Sequence, residues 1–275
     1  MSNRSVSEFY CKSMRHHRFG YALYEPAPCL HLYPGVVGYL DENQHWNPIL
    51  DLNDTAKVKA EGYTPLGYLQ RAVPDTCRCG PLVADEVLAN EVALGVGADA
   101  SSFGFPLDTD GAVSYTTARG FGAVLVCDGD VISEGFDYRD SFRVWLQLNA
   151  SLLFSRYPDT KKHGVCVATW TYWTKNIHIS AWEGGANSAT VGYTGAGRER
   201  HERTWHCGHA NTGWSTYTDQ KRVIFFAGVK IYLVTKEMEE IFRGDRFTFG
   251  EESEGEYSLV EIVNFGEDWH IISDS

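Results

Sequence analysis

The side chains best suited to chemistry gather in one stretch near residue 205. His201, His206, Cys207 and His209 all carry groups that can bind a transition metal. Structural zinc sites space their ligands in recurrent pairs, and this stretch matches none of those patterns. The three histidines are therefore weak candidates for a metal site, and exposed loop histidines are the alternative. We expect no cofactor.

Two further sets of residues could support nucleophilic or redox chemistry. Cys77-Arg78-Cys79 is a CxC sequence, whereas redox and zinc sites use CxxC, so ordinary half-buried thiols are favoured. Cys166 and His178 are predicted on facing strands, where a thiol and an imidazole could form a nucleophilic pair. Their apolar and aromatic neighbours favour core positions instead.

Catalytic signatures are otherwise missing from the sequence. It contains no motif for dinucleotide binding, phosphate binding, serine hydrolysis or zinc proteolysis. The sequence therefore favours a protein that is not an enzyme. An enzyme of unrecognised class stays open as an alternative, and it would use residues from the set His178, Glu183, Cys166, His201 and His206.

Five of the eight tryptophans fall in or beside the predicted strands of the second half of the chain: Trp170, Trp173, Trp182, Trp205 and Trp214. Exposed indoles there could stack on sugar rings, as in a lectin, or lie at a membrane interface. Trp170 and Trp173 differ in parity along one strand and are predicted to point to opposite faces. Ordinary core packing is the alternative for both.

The charge distribution excludes some partners. The 275-residue chain has a net charge of −12, and residues 236–275 carry twelve acidic side chains against three basic ones, a net −9. This balance argues against nucleic-acid binding. The N-terminus is basic and lacks a secretory signal, and no apolar run reaches the roughly 20 residues of a membrane-spanning helix. We expect a cytoplasmic protein.

Hydrophobic periodicity predicts mainly strands. Alternation indicates a strand over Val92–Ser101, and a second strand over Val113–Cys127 completes a long hairpin of small residues. Either this hairpin is less firmly held than the core, or its small residues let a neighbouring backbone pass close to it. The spacing of apolar residues in Tyr138–Arg156 predicts a helix, with Asp137 as its cap. Further strands are predicted at the following positions: Val36–Leu40, Trp46–Leu52, Val165–Thr174, Ile177–Glu183, Ala189–Thr194, Val223–Thr235 and Tyr257–Phe265. The two-residue link Lys175-Asn176 predicts that the strands on either side of it form a tight hairpin.

These elements predict an α+β fold, in which a twisted, mostly antiparallel sheet with long hairpins packs against a few helices. Residues 1–236 are expected to form a single domain, followed by an acidic segment, residues 237–275. A short amphipathic helix is expected within the first 20 residues.

The order of elements resembles the N-terminal pore-forming domain of the gasdermins, over residues 5–235. The resemblance is carried by the two hairpins flanking a helix and by the strand that follows it, in the sequence Tyr157-Pro158-Asp159 and then His163-Gly164-Val165-Cys166-Val167-Ala168-Thr169. The segments 23–26, 34–41 and 46–52 are also similar to proteins of mushroom-forming fungi. A fungal protein of gasdermin type is thus suggested.

This resemblance implies a cell-death or defence effector that binds membrane lipids, associates with copies of itself and refolds both hairpins into a transmembrane barrel. The expected lipid-binding residues are Arg4, Lys12, Arg15, Arg18, Trp170 and Trp173. The chain differs from that family in its acidity, and the acidic segment is expected to cover the basic N-terminal residues. A cytosolic β-rich protein that binds carbohydrate or a small ligand is the alternative.

Overall fold

The chain forms an α+β structure with mostly antiparallel sheets, as predicted. The computed structural model describes residues 3–92, 102, 104–118, 120–185, 187–195, 203–235, 246–247 and 257–265. Its strands lie in one sheet of nine strands and two sheets of four strands each. The large sheet forms the body of the protein, and the two small sheets carry the hairpins.

The large sheet is built around β10 (Val165–Thr174) and β15 (Arg222–Thr235), which pair along most of their length. Both strands are β-branched and aromatic and are buried on both faces, as expected for strands at the centre of a sheet. The other strands of this sheet are β1 (Tyr21–Pro28), β2 (Val36–Leu40), β3 (Trp46–Asp51), β4 (Asp75–Cys77), β9 (Val131–Gly135), β16 (Arg246–Phe247) and β17 (Tyr257–Phe265).

The acidic segment contributes to this sheet. Strand β17 runs antiparallel to β15 from Gly228 opposite Phe265 to Thr235 opposite Tyr257, and β16 pairs with β17. The backbone of residues 257–265 is therefore part of the body. Whether residues 237–275 form a unit separate from residues 1–236 stays a prediction.

One face of the large sheet is covered by the long helix. Helix α3 (Asp140–Arg156) buries Phe142, Trp145, Leu146 and Leu153 in one stripe, against strand residues such as Val167 and Val229. The helix begins two residues later than predicted, and its N-cap is Arg139, not the predicted cap Asp137. A short helix α4 (Asp159–His163) follows. The described residues also form α1 (Asn3–Met14), a 3₁₀ turn (Arg15–His17) and α2 (Thr55–Ala60).

The other eight described strands form the two small sheets. The proximal sheet has the order β14-β11-β8-β5, and the distal sheet has the order β13-β12-β7-β6. The proximal strands are β5 (Leu82–Val83), β8 (Phe121–Cys127), β11 (Ile177–Glu183) and β14 (Ser215–Tyr217). The distal strands are β6 (Val87–Val92), β7 (Gly111–Thr117), β12 (Ser188–Thr194) and β13 (Thr204–Ala210).

Two predictions about hairpins were wrong. Strands β10 and β11 do not pair across Lys175-Asn176, because β10 is already paired with β15, β9 and β2, and β11 pairs with β8 in the proximal sheet. The strand predicted over Val113–Cys127 is observed as two strands in different sheets, β7 ending at Thr117 and β8 beginning at Phe121. The strand predicted at Val92–Ser101 is observed up to Val92, and residues 93–101 lie outside the described part of the chain.

Candidate functional site: two hairpins in one folded ribbon

Two hairpins run through both small sheets. The first hairpin has β5 and β6 as its outer strand and β7 and β8 as its inner strand. The second has β11 and β12 as its inner strand and β13 and β14 as its outer strand. The two inner strands pair with each other in both sheets. Together the hairpins form a four-stranded ribbon that bends where it passes from the proximal to the distal sheet.

The two inner strands keep one register through the bend. In the proximal sheet Ile177 lies opposite Cys127, and in the distal sheet Tyr193 lies opposite Gly111, so the residue numbers of every pair sum to 304. Gly184 and Gly120, at the bend, also sum to 304, and the amide of Gly184 donates to the carbonyl of Gly120 at 2.9 Å. Both glycines have positive φ, 84° and 80°, which other residues rarely adopt. The two inner strands therefore keep the same partner across a glycine bend that separates the two sheets.

The outer strands change register at the bend. In the first hairpin the pair numbers sum to 204 in the distal sheet, where Val92 faces Ala112, and to 207 in the proximal sheet, where Val83 faces Val124. The change is three residues. In the second hairpin the pair numbers sum to 394 in the proximal sheet. In the distal sheet they sum to 398 from Val191 to Thr194 and to 399 at Ala189, so the change is four or five residues. The outer strands therefore shift along their inner partners at the bend, whereas the inner strands keep their pairing with each other.

The bend also inverts which side chains face inward. The distal sheet turns odd-numbered residues such as Tyr115 and Val191 towards the proximal sheet, which presents even-numbered Val124, Val126 and Trp182. A strand alternates its faces strictly, so this inversion requires the irregular backbone at the bend. The two sheets thus form a small sandwich that buries the apolar face of the distal sheet.

Small residues make this packing possible. A Cβ on Gly122 would overlap the indole of Trp182, which lies directly opposite it in the register. A Cβ on Gly192 would lie 2.8 Å from the Phe105 ring. The small residues seen in the sequence therefore admit large aromatic neighbours. The sequence analysis did not single out the bend, and the only signal for it was the glycines at and beside positions 120 and 184.

Helix α1 lies against the outer face of the proximal sheet. Tyr10 and Met14 are fully buried in a cluster with odd-numbered residues of β8 and β11, and the Phe9 ring stacks on Phe121 at 5.8 Å. His17, just after the helix, contacts the carbonyl of Val83 at 2.7 Å. Burial lowers the pKa of His17 from about 6.5 to about 4.

The predicted lipid-binding residues fall in two places. Lys12, Arg15 and Arg18 are exposed, at the end of α1 and just beyond it, and Arg4 belongs to the same helix. Trp170 and Trp173 lie apart from them on β10. Each is half-buried against a different cluster, and the two indoles donate to Ser133 and Glu134 at 2.8 and 2.9 Å. The structure does not bring the six residues together in one patch, and their lipid-binding role stays a prediction.

The residues considered for catalysis are separated. Cys166 is buried in the large sheet, where burial raises its thiol pKa to about 12. His178 lies in the proximal sheet, where its Nδ1 is 3.1 Å from the Thr216 hydroxyl. The prediction that Cys166 and His178 lie on facing strands is wrong, because β10 and β11 belong to different sheets. The two side chains therefore do not form a thiol–imidazole pair.

Neither the histidine cluster nor the surface cavity shows a metal site or a catalytic group among the described residues. His206 and His209 lie on β13, with Thr194 Oγ1 2.8 Å from His206 Nε2, whereas His201 lies outside the described residues. Among the described residues, no group of three metal-ligating side chains converges. A surface cavity of about 620 Å³ is lined by residues including Asn53, Leu69, Arg71 and Phe136. No histidine, cysteine or carboxylate is among the described residues that line it.

None of the described helices combines the length and the apolar character that crossing a bilayer would need.

Comparisons with known proteins give a likeness to solved structures only. No protein-family model matches the chain, and a search of curated proteins finds no match. Among solved structures, the chain is similar to one titled "Cryo-EM structure of the Gasdermin A3 membrane pore", with 10% sequence identity and a TM-score of 0.28. The match covers 92% of this chain and 88% of that chain. These values are too low to place the chain in a family.

Proposed function

We propose that this chain is a pore-forming protein that binds membranes and inserts its two hairpins. It would be a cytoplasmic protein that moves to anionic lipid surfaces, associates with copies of itself and acts as a cell-death or defence effector. The observation that carries the proposal is the folded ribbon, whose inner strands keep one register through a bend that hides an apolar face.

The distal half of the ribbon has the two faces that a membrane-crossing sheet needs. The odd-numbered residues of its inner strands that the structure describes include Val113, Tyr115, Val191 and Tyr193, whereas the even-numbered ones include Ser114, Thr116, Ser188 and Thr190. Strands that line an aqueous pore alternate in this way between lipid and lumen. Opening the sandwich would turn the apolar face from Trp182 and its neighbours towards lipid.

The distal hairpins are long enough to cross. The second hairpin comprises 23 residues from Ser188 to Ala210, and the first comprises 31 residues from Val87 to Thr117. Divided between two arms, these stretches would supply about 11 to 15 residues each, against the roughly 9–11 that a tilted strand needs. The bend at Gly120 and Gly184 would lie at the membrane surface.

Straightening requires a shift only in the outer strands. If β6 adopted the register of β5, it would slide three residues along β7. Glu91 would then move from opposite Val113 to opposite Thr116, and Val92 from opposite Ala112 to opposite Tyr115. Because three is odd, the slide exchanges the faces of β6 and places Glu91 with the polar residues and Val92 with the apolar ones.

Self-association follows from the sheet edges. The distal sheet ends on one side with β6 and on the other with β13. Unpaired backbone groups at such edges are costly in lipid, and four strands are too few to enclose an aqueous pore by themselves. Copies of the chain would pair edge to edge. The exposed cations Lys12 and Arg15 on and beside α1 would draw the protein to anionic lipid, and α1 would leave the proximal sheet.

A labelling experiment tests this proposal. In a variant whose seven native cysteines are replaced by serine, single cysteines carrying an environment-sensitive fluorophore are placed at Val113, Ser114, Tyr115 and Thr116. The protein is then added to phosphatidylserine vesicles loaded with a self-quenched dye. We expect dye release. In the membrane-bound protein, the labels at 113 and 115 should be quenched by a lipid-attached nitroxide, and those at 114 and 116 by iodide in the water. No release, or no alternation among the four positions, would refute the proposal.

A further inference from the structure

The chain passes from the large sheet to the proximal sheet through a short strap. Cys77 is the last residue of β4, opposite Val131 in the large sheet, and Leu82 is the first residue of β5, opposite Leu125 in the proximal sheet. We call residues 77–82 the strap. It joins the body to the outer strand of the first hairpin.

The strap carries two thiols in contact. Cys77 Sγ lies 3.4 Å from Cys79 Sγ. Residues two apart on an extended chain point to the same side, and Arg78 between them points away, where its Nε donates to Asp130 at 2.8 Å. A disulfide has an S–S length of about 2.05 Å, so the sulfurs must approach by only about 1.4 Å.

The two thiols differ in reactivity from the other cysteines. A hydrogen bond from Cys79 lowers the pKa of Cys77, and the same bond raises the pKa of Cys79. Burial raises the pKa of Cys29, Cys127 and Cys166 to about 12. Since the thiolate is the attacking species, Cys77 is the best nucleophile of this set, and Cys79 is placed to resolve it.

We infer that Cys77 and Cys79 form a reversible dithiol–disulfide site that reacts with small disulfides such as glutathione disulfide. The Cys77 thiolate attacks one sulfur of glutathione disulfide, a bond forms between the two sulfurs, and one glutathione leaves as its thiolate. Cys79 then loses its proton to solvent and attacks Cys77 Sγ, releasing the second glutathione thiolate. The protein dithiol is oxidised by two electrons and glutathione disulfide is reduced to two thiols.

Peptide mapping tests this inference on the full chain. Trypsin cleaves after Arg71, Arg78, Arg119 and Arg139, so Cys77, Cys79 and Cys127 fall on three different peptides. The folded protein is equilibrated with glutathione buffers rich in either the disulfide or the thiol, free thiols are alkylated, and the digest is analysed by mass spectrometry. We expect the oxidised sample to contain the peptides 72–78 and 79–119 joined by a disulfide, with alkylation of both cysteines reduced by about tenfold.

Two variants sharpen the result. In Cys79→Ser, Cys77 cannot be resolved, and we expect it to accumulate as the mixed disulfide with glutathione. The control Cys29→Ser removes a half-buried thiol elsewhere and should leave the Cys77–Cys79 linkage unchanged. The inference is overturned if both thiols stay alkylatable in the oxidising buffer, or if either of them links to Cys127 instead. The measurement does not use membranes, so its outcome is independent of the proposed pore.

Discussion

Removing the Trp182 indole should release the distal sheet. The side chain is 3% exposed and lies between the two small sheets, opposite Gly122 in the register. A buried aromatic covers about 150–250 Å², worth about 4–6 kcal/mol at 25 cal/mol per Å². Among the described residues its indole nitrogen has no hydrogen-bond partner, which offsets about 1–3 kcal/mol of that. We expect Trp182→Ala to weaken the sandwich by about 3 kcal/mol.

The expected effect on function has the opposite sign to the effect on stability. If opening the sandwich limits insertion, a loss of about 3 kcal/mol increases the opened population by about 100-fold. Dye release from phosphatidylserine vesicles should therefore accelerate by up to this factor. Trp182→Phe keeps most of the buried area and removes the unpaired donor, so its stability and release rate should stay close to those of the unmodified protein.

The matched control lies in the body. Phe142 is fully buried against the large sheet, and Phe142→Ala should cost about 3–5 kcal/mol without loosening the ribbon. Unfolding in urea measures both losses, and release is compared at a temperature where every variant is folded. If Trp182→Ala releases dye no faster than Phe142→Ala at equal loss of stability, the reasoning is wrong.

Two further predictions concern α1 and its surroundings. The folded protein holds His17 neutral down to pH about 4, whereas the unfolded chain protonates it near pH 6.5. The unfolded state therefore binds more protons between these values, and the stability of the protein should fall as the pH is lowered through this window. His17→Gln keeps a donor but does not titrate, so its thermal unfolding should show a smaller fall, and identical profiles would contradict the assignment. Reversing two charges with Lys12→Glu and Arg15→Glu should remove at least about 2 kcal/mol of attraction, roughly 30-fold in affinity for anionic vesicles. The exposed pair on α2, changed as Lys57→Glu and Lys59→Glu, is the control, and equal losses for the two double variants would show that net charge alone matters.

Sequence patterns predict most strands but not their partners. The helical spacing of Phe142, Trp145, Leu146 and Leu153 predicts α3 because a helix on a sheet needs only one apolar stripe, a local property. The observed ends of β2, β10, β11 and β17 are the predicted ones. The partner of β11 was not predicted, because a two-residue link usually makes a hairpin. Both edges of β10 are already paired, so β11 pairs in another sheet.

The candidate site depends on long-range pairing that no local pattern contains. Gly120 lies between β7 and β8 and hydrogen-bonds with Gly184 across 64 positions of sequence. The small residues of the hairpins were correctly recognised as unusual, but the structure explains them by the aromatic rings lying over them. The contact between Cys77 and Cys79 was not predicted either, since a CxC sequence does not fix the orientation of its side chains.

The central claim is that the inner strands keep their register while β6 slides along β7. Two cross-links share one position: Asn90→Cys with Ser114→Cys ties β6 to β7, and Ser114→Cys with Thr190→Cys ties the two inner strands together. Peptide mapping verifies each disulfide, and dye release is measured before and after reduction. We expect the first cross-link to abolish release until it is reduced and the second to leave release unchanged. Release that proceeds with the first cross-link intact, or stops with the second, would contradict the account.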